Sequence, residues 1–456
     1  MNTYHDIIED LGNGLILRHG RREDADALSK FNGRIHVDPG EDFAKGVAVW
    51  THDLLTKKHP VVKPADFTII EDSKTGEIIS SMNLIDQTWA YEGIEFGVGR
   101  PEVVGTLPEY RRRGLVRKQF DVVHRWSAER GQMVQAITGI PWYYRMFGYE
   151  MALDLDGGRR GYNANIPQLK EGEQEPYLIR RATEEDIPFI SQLYRQNSHR
   201  YPITCRHDEN MWRYKMFEVS EESTVCVVFS MIETSSGEAV GFLCHDPSLQ
   251  NGMLNIRLYE IQQGASWLAV TPSVLRYLQG VGSEYAANEK EEKDAEDGHE
   301  ARFEGYYFRL SSEHPVYEAV PHYLPHQSNS YAWFIRVPDL IGFLQHISPA
   351  LEERLACSYA AGHSITLKLN YYISGIEIKL ERGKIKAIEP WEEPDYETAS
   401  AQFPDLTFLQ LLFGYRSLDE LDRSFADCYS SLENPEGGQV LRALFPKKPS
   451  TIWPVD

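Results

Sequence analysis

Two stretches of this chain nearly repeat one another. "LRHGRREDADALSKF" (Leu17 to Phe31) is echoed by "IRRATEEDIPFISQL" (Ile179 to Leu193), with Arg18 over Arg180, Glu23 over Glu185, Asp24 over Asp186 and Ser29 over Ser191. Each copy reads as a strand end, an acidic helix start and a helix with apolar residues at helical spacing. Two strands around a turn follow each: "FTIIEDSKTGEIISSMNLI" after the first copy, "STVCVVFSMIETSSGEAVGFLCH" after the second. The same order twice points to two similar units that mix helix and strand and meet near residue 170. A third region opens near "YAWFIRVPDLIGFLQHI", where a Val-Pro step precedes a helix. It continues with the alternating strands of "SITLKLNYYISGIEIKLERGKIKAIEP", broken at Gly375 and Gly383, and the apolar helix "DLTFLQLLFG". The expected class is α+β, with domains at 1–170, 171–328 and 329–456, matching the soft prior of about three domains that 456 residues give. The charged tract from Gly282 to Arg302 reads equally as a mobile loop or a solvated helix.

Charge narrows the partners. With 47 basic and 68 acidic side chains the formal net charge is −21, which argues against general binding to nucleic acid or to an anionic membrane and favours a cationic small substrate. The five cysteines are scattered, without C-x-x-C spacing, and read as reduced thiols of a cytoplasmic protein. The early acids of "MNTYHDIIEDLG" do not suit a secretory signal, and no apolar run is long enough to span a bilayer. His322 and His326 of "PHYLPH" have no further ligands nearby, so no metal is expected.

Against that acidic background, "TLPEYRRRGLVR" (Thr106 to Arg117) concentrates positive charge beside a glycine. A strand leads through Pro108 to a helix that is expected to bury Val116, Phe120, Val123 and Ser127 and to end at Gly131. Arg112, Arg113 and Gly114 then sit at a helix N-terminus, where free amides and the helix dipole favour an anion. A pyrophosphate fits this arrangement, and an exposed basic helix start is the alternative.

The order strand, helix, strand pair, strand, arginine-glycine turn, helix, strand and the aromatic segment "PWYYRMFGYE" resembles the GNAT acetyltransferases. With the second, diverged copy and the C-terminal region, the chain resembles the enhanced-intracellular-survival (Eis) type, whose last domain is sterol-carrier-like. That resemblance implies two tandem GNAT folds and acetyl-CoA as cosubstrate. It implies coenzyme contacts from Val104, Gly105 and Thr106, a pyrophosphate turn of Arg112, Arg113, Gly114, Leu115, Val116 and Arg117, and further contacts from Gly139 and Ile140. Tyr144 corresponds to the general acid, with Tyr143 as its neighbouring rival. The second copy, near "SWLAVTPSVLRYLQGVG", has a helix-starting Thr-Pro but no such arginines, and so is expected not to bind coenzyme A.

An amine with a lysine-like pKa of about 10.4 must lose a proton before it attacks. The resemblance implies that the carboxylate ending the chain, here Asp456, takes it, with Glu95 and Glu102 as alternatives. It also implies a homo-oligomer such as a hexamer and cationic amine acceptors of the aminoglycoside or polyamine kind. The rival reading is a noncatalytic scaffold that binds coenzyme A or an apolar ligand.

Overall fold

The computed structural model of the protein describes residues 7–293, 302–395, 397–431 and 434–453. The elements that build the site are strands β1 (Ile78–Tyr91) and β2 (Ile94–Thr106), helix α1 (Leu115–Glu129), and strands β3 (Val134–Ile137), β4 (Glu150–Leu155) and β5 (Tyr331–Arg336). They belong to the largest of three sheets, which runs Ile7–Gly12, Leu15–His19, Phe67–Asp72, β1, β2, β3, β5, β4. A further strand, Ile203–Arg206, pairs with Thr88–Tyr91 of β1.

A second sheet of seven strands carries residues 158–328 and contains its own parallel pair, Met253–Ile261 beside Gly305–Phe308, joined through the long helix Trp267–Lys293. The echo noticed in sequence is mirrored atom for atom. Arg18 grips Asp24 with both terminal nitrogens (2.8 and 2.8 Å) and donates from Nε to Glu71 at 2.7 Å. Arg180 does the same to Asp186 (2.7 and 2.9 Å) and to Glu233 at 2.8 Å. In both copies a strand arginine ties a helix start to the next strand, a bidentate geometry that fixes direction as well as distance.

The third sheet, of five strands, is flanked by short helices, and its core is continuous with the lower part of the first sheet. Tyr91, Phe96 and Phe343 meet edge to face, Phe343 stacks on Phe413, and Tyr91 donates to the Leu412 carbonyl at 2.7 Å.

Sequence boundaries and sheet membership do not coincide. β5, expected in the third region, fills the gap between β3 and β4 of the first sheet. Gly158–Tyr162, expected in the first, pairs within the second sheet. Alternation marks a strand; it does not say whose edge the strand satisfies. The helix near Thr271 and Pro272 begins earlier than expected, at Trp267, leaving Pro272 inside it. The helix also runs through the charged tract as far as Lys293, and residues 294–301 lie outside the described residues. No helix among the described residues is long and apolar enough to cross a membrane.

Burial pushes His59 and His124 down to about 3 and His207 and His245 down to about 4. An unfolded histidine takes up its proton near pH 6.5. Between about pH 6.5 and pH 4 the unfolded chain binds more protons than the folded one, so stability falls as pH falls through that window. Urea midpoints should therefore be lower at about pH 5 than at about pH 7.5, and His245→Gln should flatten the difference.

Candidate active site

The site begins where two strands part. β2 and β3 pair in parallel only at Val98–Val134 and Gly99–Gln135. Beyond Gly99, β2 follows β1, while β3 turns its other edge to β5 through Ile137–Phe334 and Ala136–Ile335. A bulge sharpens the divergence: Val103 and Val104 together oppose Met82, and Val103 takes φ +50°, a strained value for a β-branched residue. The edge of β2 from Arg100 to Thr106 is thus left without a strand partner on its β3 side, and such groups seek an external one.

Helix α1 is sewn to the sheet beneath that opening. Gln119, fully buried, donates to the Thr68 carbonyl (3.1 Å) and hydroxyl (3.0 Å) and accepts from Ser80 at 2.7 Å. Ser80 also meets the Thr106 hydroxyl at 2.7 Å and the Gly105 carbonyl at 2.8 Å. The Thr106 hydroxyl is thereby engaged inside the fold, and Val104 to Thr106 lie on the edge of β2 that no strand pairs on the β3 side. Of the expected core face, Phe120, Val123 and Ser127 are buried; Val116 is partly so, with Leu115 buried in its place.

Above the network lies the arginine turn. Gly114 caps α1 at φ +77°, Arg112 stands at φ +63°, and a Cβ built on Gly114 meets nothing within 4 Å. Glycine is needed there for its backbone angle, and the space over it is open. The amides of Leu115, Val116 and Arg117 are the unsatisfied first turn of a helix that has no side-chain cap. Arg111, Arg112 and Arg113 are exposed; Arg113 lies 4.6 Å over the Tyr110 ring and donates to the Glu109 carbonyl at 3.0 Å. Arg117 rests 5.0 Å from the Phe147 ring and reaches the Met146 carbonyl at 3.4 Å, linking the turn to the aromatic segment.

That segment brings Tyr144 to the mouth of the split. Its ring is buried edge-on against Phe120, Tyr143, Tyr149 and Phe334. Its hydroxyl meets the Ile140 amide, and a Cβ on Gly139, held at φ +120°, would come within 3.3 Å of that oxygen. Burial, and then the nearby Glu102 charge, push the phenol well above its ordinary pKa, so it keeps its proton and is a donor. Tyr143 is half-buried, with its pKa raised by burial and pulled back by Arg117. Gly139 offers its carbonyl to Tyr331 at 3.2 Å, while the Ile140 side chain is exposed.

A cavity of about 310 Å³ opens behind Glu102 and Thr138. Its other walls come from the second copy, through Lys215, Cys226, Asp246 and Arg257, and from Trp50 and Trp453. Glu102 is ion-paired with buried Arg100, and burial raises its carboxyl despite that partner. Glu95, by contrast, is exposed and faces Arg206 at 3.6 Å across a different groove. Trp453 is fixed by stacking on Trp212 (5.6 Å) and by hydrogen bonds to its carbonyl from His207 (2.6 Å) and Tyr194 (3.3 Å). Asp456 lies outside the described residues. Among the described residues no cluster of three or more His, Cys, Asp or Glu could hold a metal ion. The second-copy residues of this cavity carry no local sequence signal except Lys215, a lysine in the apolar setting of "MWRYKMF".

Residues 41–152 match the acetyltransferase (GNAT) domain family, and no curated protein sequence matches the chain. A probable N-acyltransferase from Enterococcus faecalis V583, a conserved protein of unknown function, superposes with a TM-score of 0.63 at 13% identity over 96% of this chain and 97% of its own. A GCN5-related N-acetyltransferase from Anabaena variabilis gives 0.63 at 12% identity over 96% and 99%. Eis1 from Mycobacterium abscessus gives 0.57 at 12% identity over 97% and 99%. The chain thus shares its fold from end to end with these proteins, and its parted strands, arginine turn and Tyr144 lie within residues 41–152, the segment that matches the acetyltransferase (GNAT) domain family.

Proposed function

We propose that the protein is an acetyl-CoA-dependent N-acetyltransferase that transfers acetyl directly to a primary amine in a ternary complex. The observation that carries this reading is the meeting of three features at one place: the unpartnered edge of β2, the open amides of the arginine turn, and the protonated Tyr144 hydroxyl. The coenzyme, when bound, supplies an acyl group activated as a thioester. Arg112, Arg113, Arg117 and the amides after Gly114 hold its pyrophosphate by charge-assisted bonds, and the backbone of Val104 to Thr106 lines its pantetheine arm. Tyr144 donates to the sulfur that leaves, a role that a phenol buried in its neutral form is suited to.

The acceptor enters through the cavity between Glu102 and the second copy. Its amine loses a proton to the carboxylate of Asp456, a role suggested by Trp453, three residues earlier in the chain, which lines the same cavity. Glu102 is the alternative and is occupied by Arg100; Glu95 points elsewhere. Cationic amines of the aminoglycoside or polyamine kind are the proposed acceptors, drawn by the chain's net charge of −21. The reading further includes a second, degenerate GNAT fold, a sterol-carrier-like last domain, a cytoplasmic location and a homo-oligomer.

Two measurements test it. One coenzyme A should bind per chain, and Arg112→Ala with Arg113→Ala should weaken it by roughly tenfold or more, since each change removes a charge-assisted contact. Two equivalent sites by calorimetry, or unchanged affinity in the double variant, would overturn the assignment of the turn. Tyr144→Phe keeps the edge-on packing and removes only the hydroxyl, so turnover should drop by about 10²-fold with coenzyme affinity little changed. Unaltered turnover in a thiol-release assay would move the acid to Tyr143 or to water.

A further inference from the structure

Two walls of the cavity belong to different copies and meet along one helix face. Trp50 stands on helix Lys45–Thr56 of the first copy, whereas Thr224, Val225 and Cys226 come from a loop of the second. Gly46, Asp53 and Lys57 share the Trp50 stripe of that helix and its C-cap, at steps of three and four. Each of the three holds the loop. The buried Asp53 carboxylate accepts from the Ser220 amide at 2.9 Å and from the Ser220 hydroxyl at 2.8 Å. Lys57 lies 3.3 Å from that carboxylate and donates to the same hydroxyl at 2.7 Å and to the Glu218 carbonyl. At the other end of the stripe the Thr224 amide donates to the Gly46 carbonyl at 3.1 Å, and a Cβ on Gly46 would come within 3.0 Å of that amide nitrogen. The loop is thus fastened on both sides of Trp50. Lys45 and Glu222 also pair, at 2.8 Å, but both are exposed, and such pairs contribute little. Asp53 differs from them, because removing one side of a buried, charge-assisted set of hydrogen bonds leaves the other side unsatisfied.

We propose that Asp53 is a positioning residue for the acceptor: by clasping Ser220 it fixes the spacing between Trp50 and the wall of residues 224–226, and so the width of the cavity that the amine enters. Asp53 does not itself line the cavity; it acts through the two walls that it ties. The arginine turn belongs to a different helix, so the clasp bears on the amine and not on the coenzyme. The word acceptor rests on the acetyltransferase reading; the clasp does not.

The test uses the full chain with Asp53→Ala, Asp53→Asn and Ser220→Ala, and takes two readings. Steady-state acetyl transfer to spermidine and to kanamycin gives kcat and the KM of each substrate. Iodoacetamide followed by mass spectrometry gives the rate at which each cysteine is alkylated. Cys226 lines the cavity and is partly buried, Cys205 and Cys244 are fully buried, and Cys357 is exposed. These thiols report, in turn, the cavity, general unfolding and the reagent. Asp53→Ala should raise the amine KM by roughly tenfold or more, the size expected when a buried charge-assisted contact is lost, with kcat and coenzyme A affinity little changed. Cys226 should be alkylated roughly tenfold faster, as a local opening demands, while Cys205 and Cys244 keep their native rates. Ser220→Ala keeps the amide bond to Asp53 and should shift both readings the same way by less. Asp53→Asn should recover most of the loss, since its amide oxygen still accepts from the Ser220 N–H. An unchanged Cys226 rate or an unchanged amine KM overturns the proposal. So does alkylation of Cys205 and Cys244 that rises in step with Cys226, because it marks general loosening. Selective exposure of Cys226 by Asp53→Ala, in a protein whose native form acetylates neither amine, would sink the acetyltransferase reading and leave the clasp standing.

Discussion

The parting of β2 from β3 after Gly99 is the feature on which the rest depends. A parallel pair that stayed zipped would satisfy its own backbone and present no slot for a ligand. Here the separation is held from both sides. The Val103 bulge turns β2 toward β1, and β5, arriving from nearly two hundred residues later, captures the free edge of β3. The strain at Val103, a β-branched residue at φ +50°, persists because flanking ladder bonds and the Gln119–Ser80–Thr106 network over-determine it. An unpaired backbone edge is thereby kept open inside a folded sheet, where it would otherwise be a site of sheet extension.

The part of this site that sequence makes legible is the local part. Arg112 to Arg117 follow one another along one turn, and their place at a helix start follows from a glycine whose φ is +77°. Tyr144 follows a strand in the sequence, and in the structure its ring is buried against Phe120 and Phe334 with its hydroxyl on the Ile140 amide. What could not be read is what the chain assembles from afar. Glu102, Lys215, Asp246 and Trp453 share one cavity across some 350 residues, and no periodicity links them. Sheet membership is hidden for the same reason: β5 and Gly158–Tyr162 each alternate like ordinary strands, yet each completes a sheet other than the one sequence proximity suggests. Glu95 and Glu102 looked equivalent on one strand; burial and ion pairing separate them.

The two copies show how one framework serves two purposes. Both keep the arginine clamp of strand, helix start and next strand, Arg18 with Asp24 and Glu71, Arg180 with Asp186 and Glu233. The first clamp is buried and the second partly exposed, so screening by solvent makes the first the stronger constraint. The copies then diverge after their central strands. The first offers a glycine-capped turn crowded with arginines, while the second enters its helix at Trp267 without them. The second copy contributes the far wall of the cavity.

The cavity between Glu102 and the second copy is lined by ion pairs. Its carboxylates sit on arginines at contact distance: Asp246 on Arg257, Asp156 on Arg309, Glu102 on Arg100. The chain's net charge of −21 therefore says little about the potential inside, because surface acids are screened within about 10 Å at moderate salt while buried pairs are not. The field far from the protein and the field inside the cavity are thus set by different groups, the first by the summed surface charge and the second by a few ion pairs at fixed geometry.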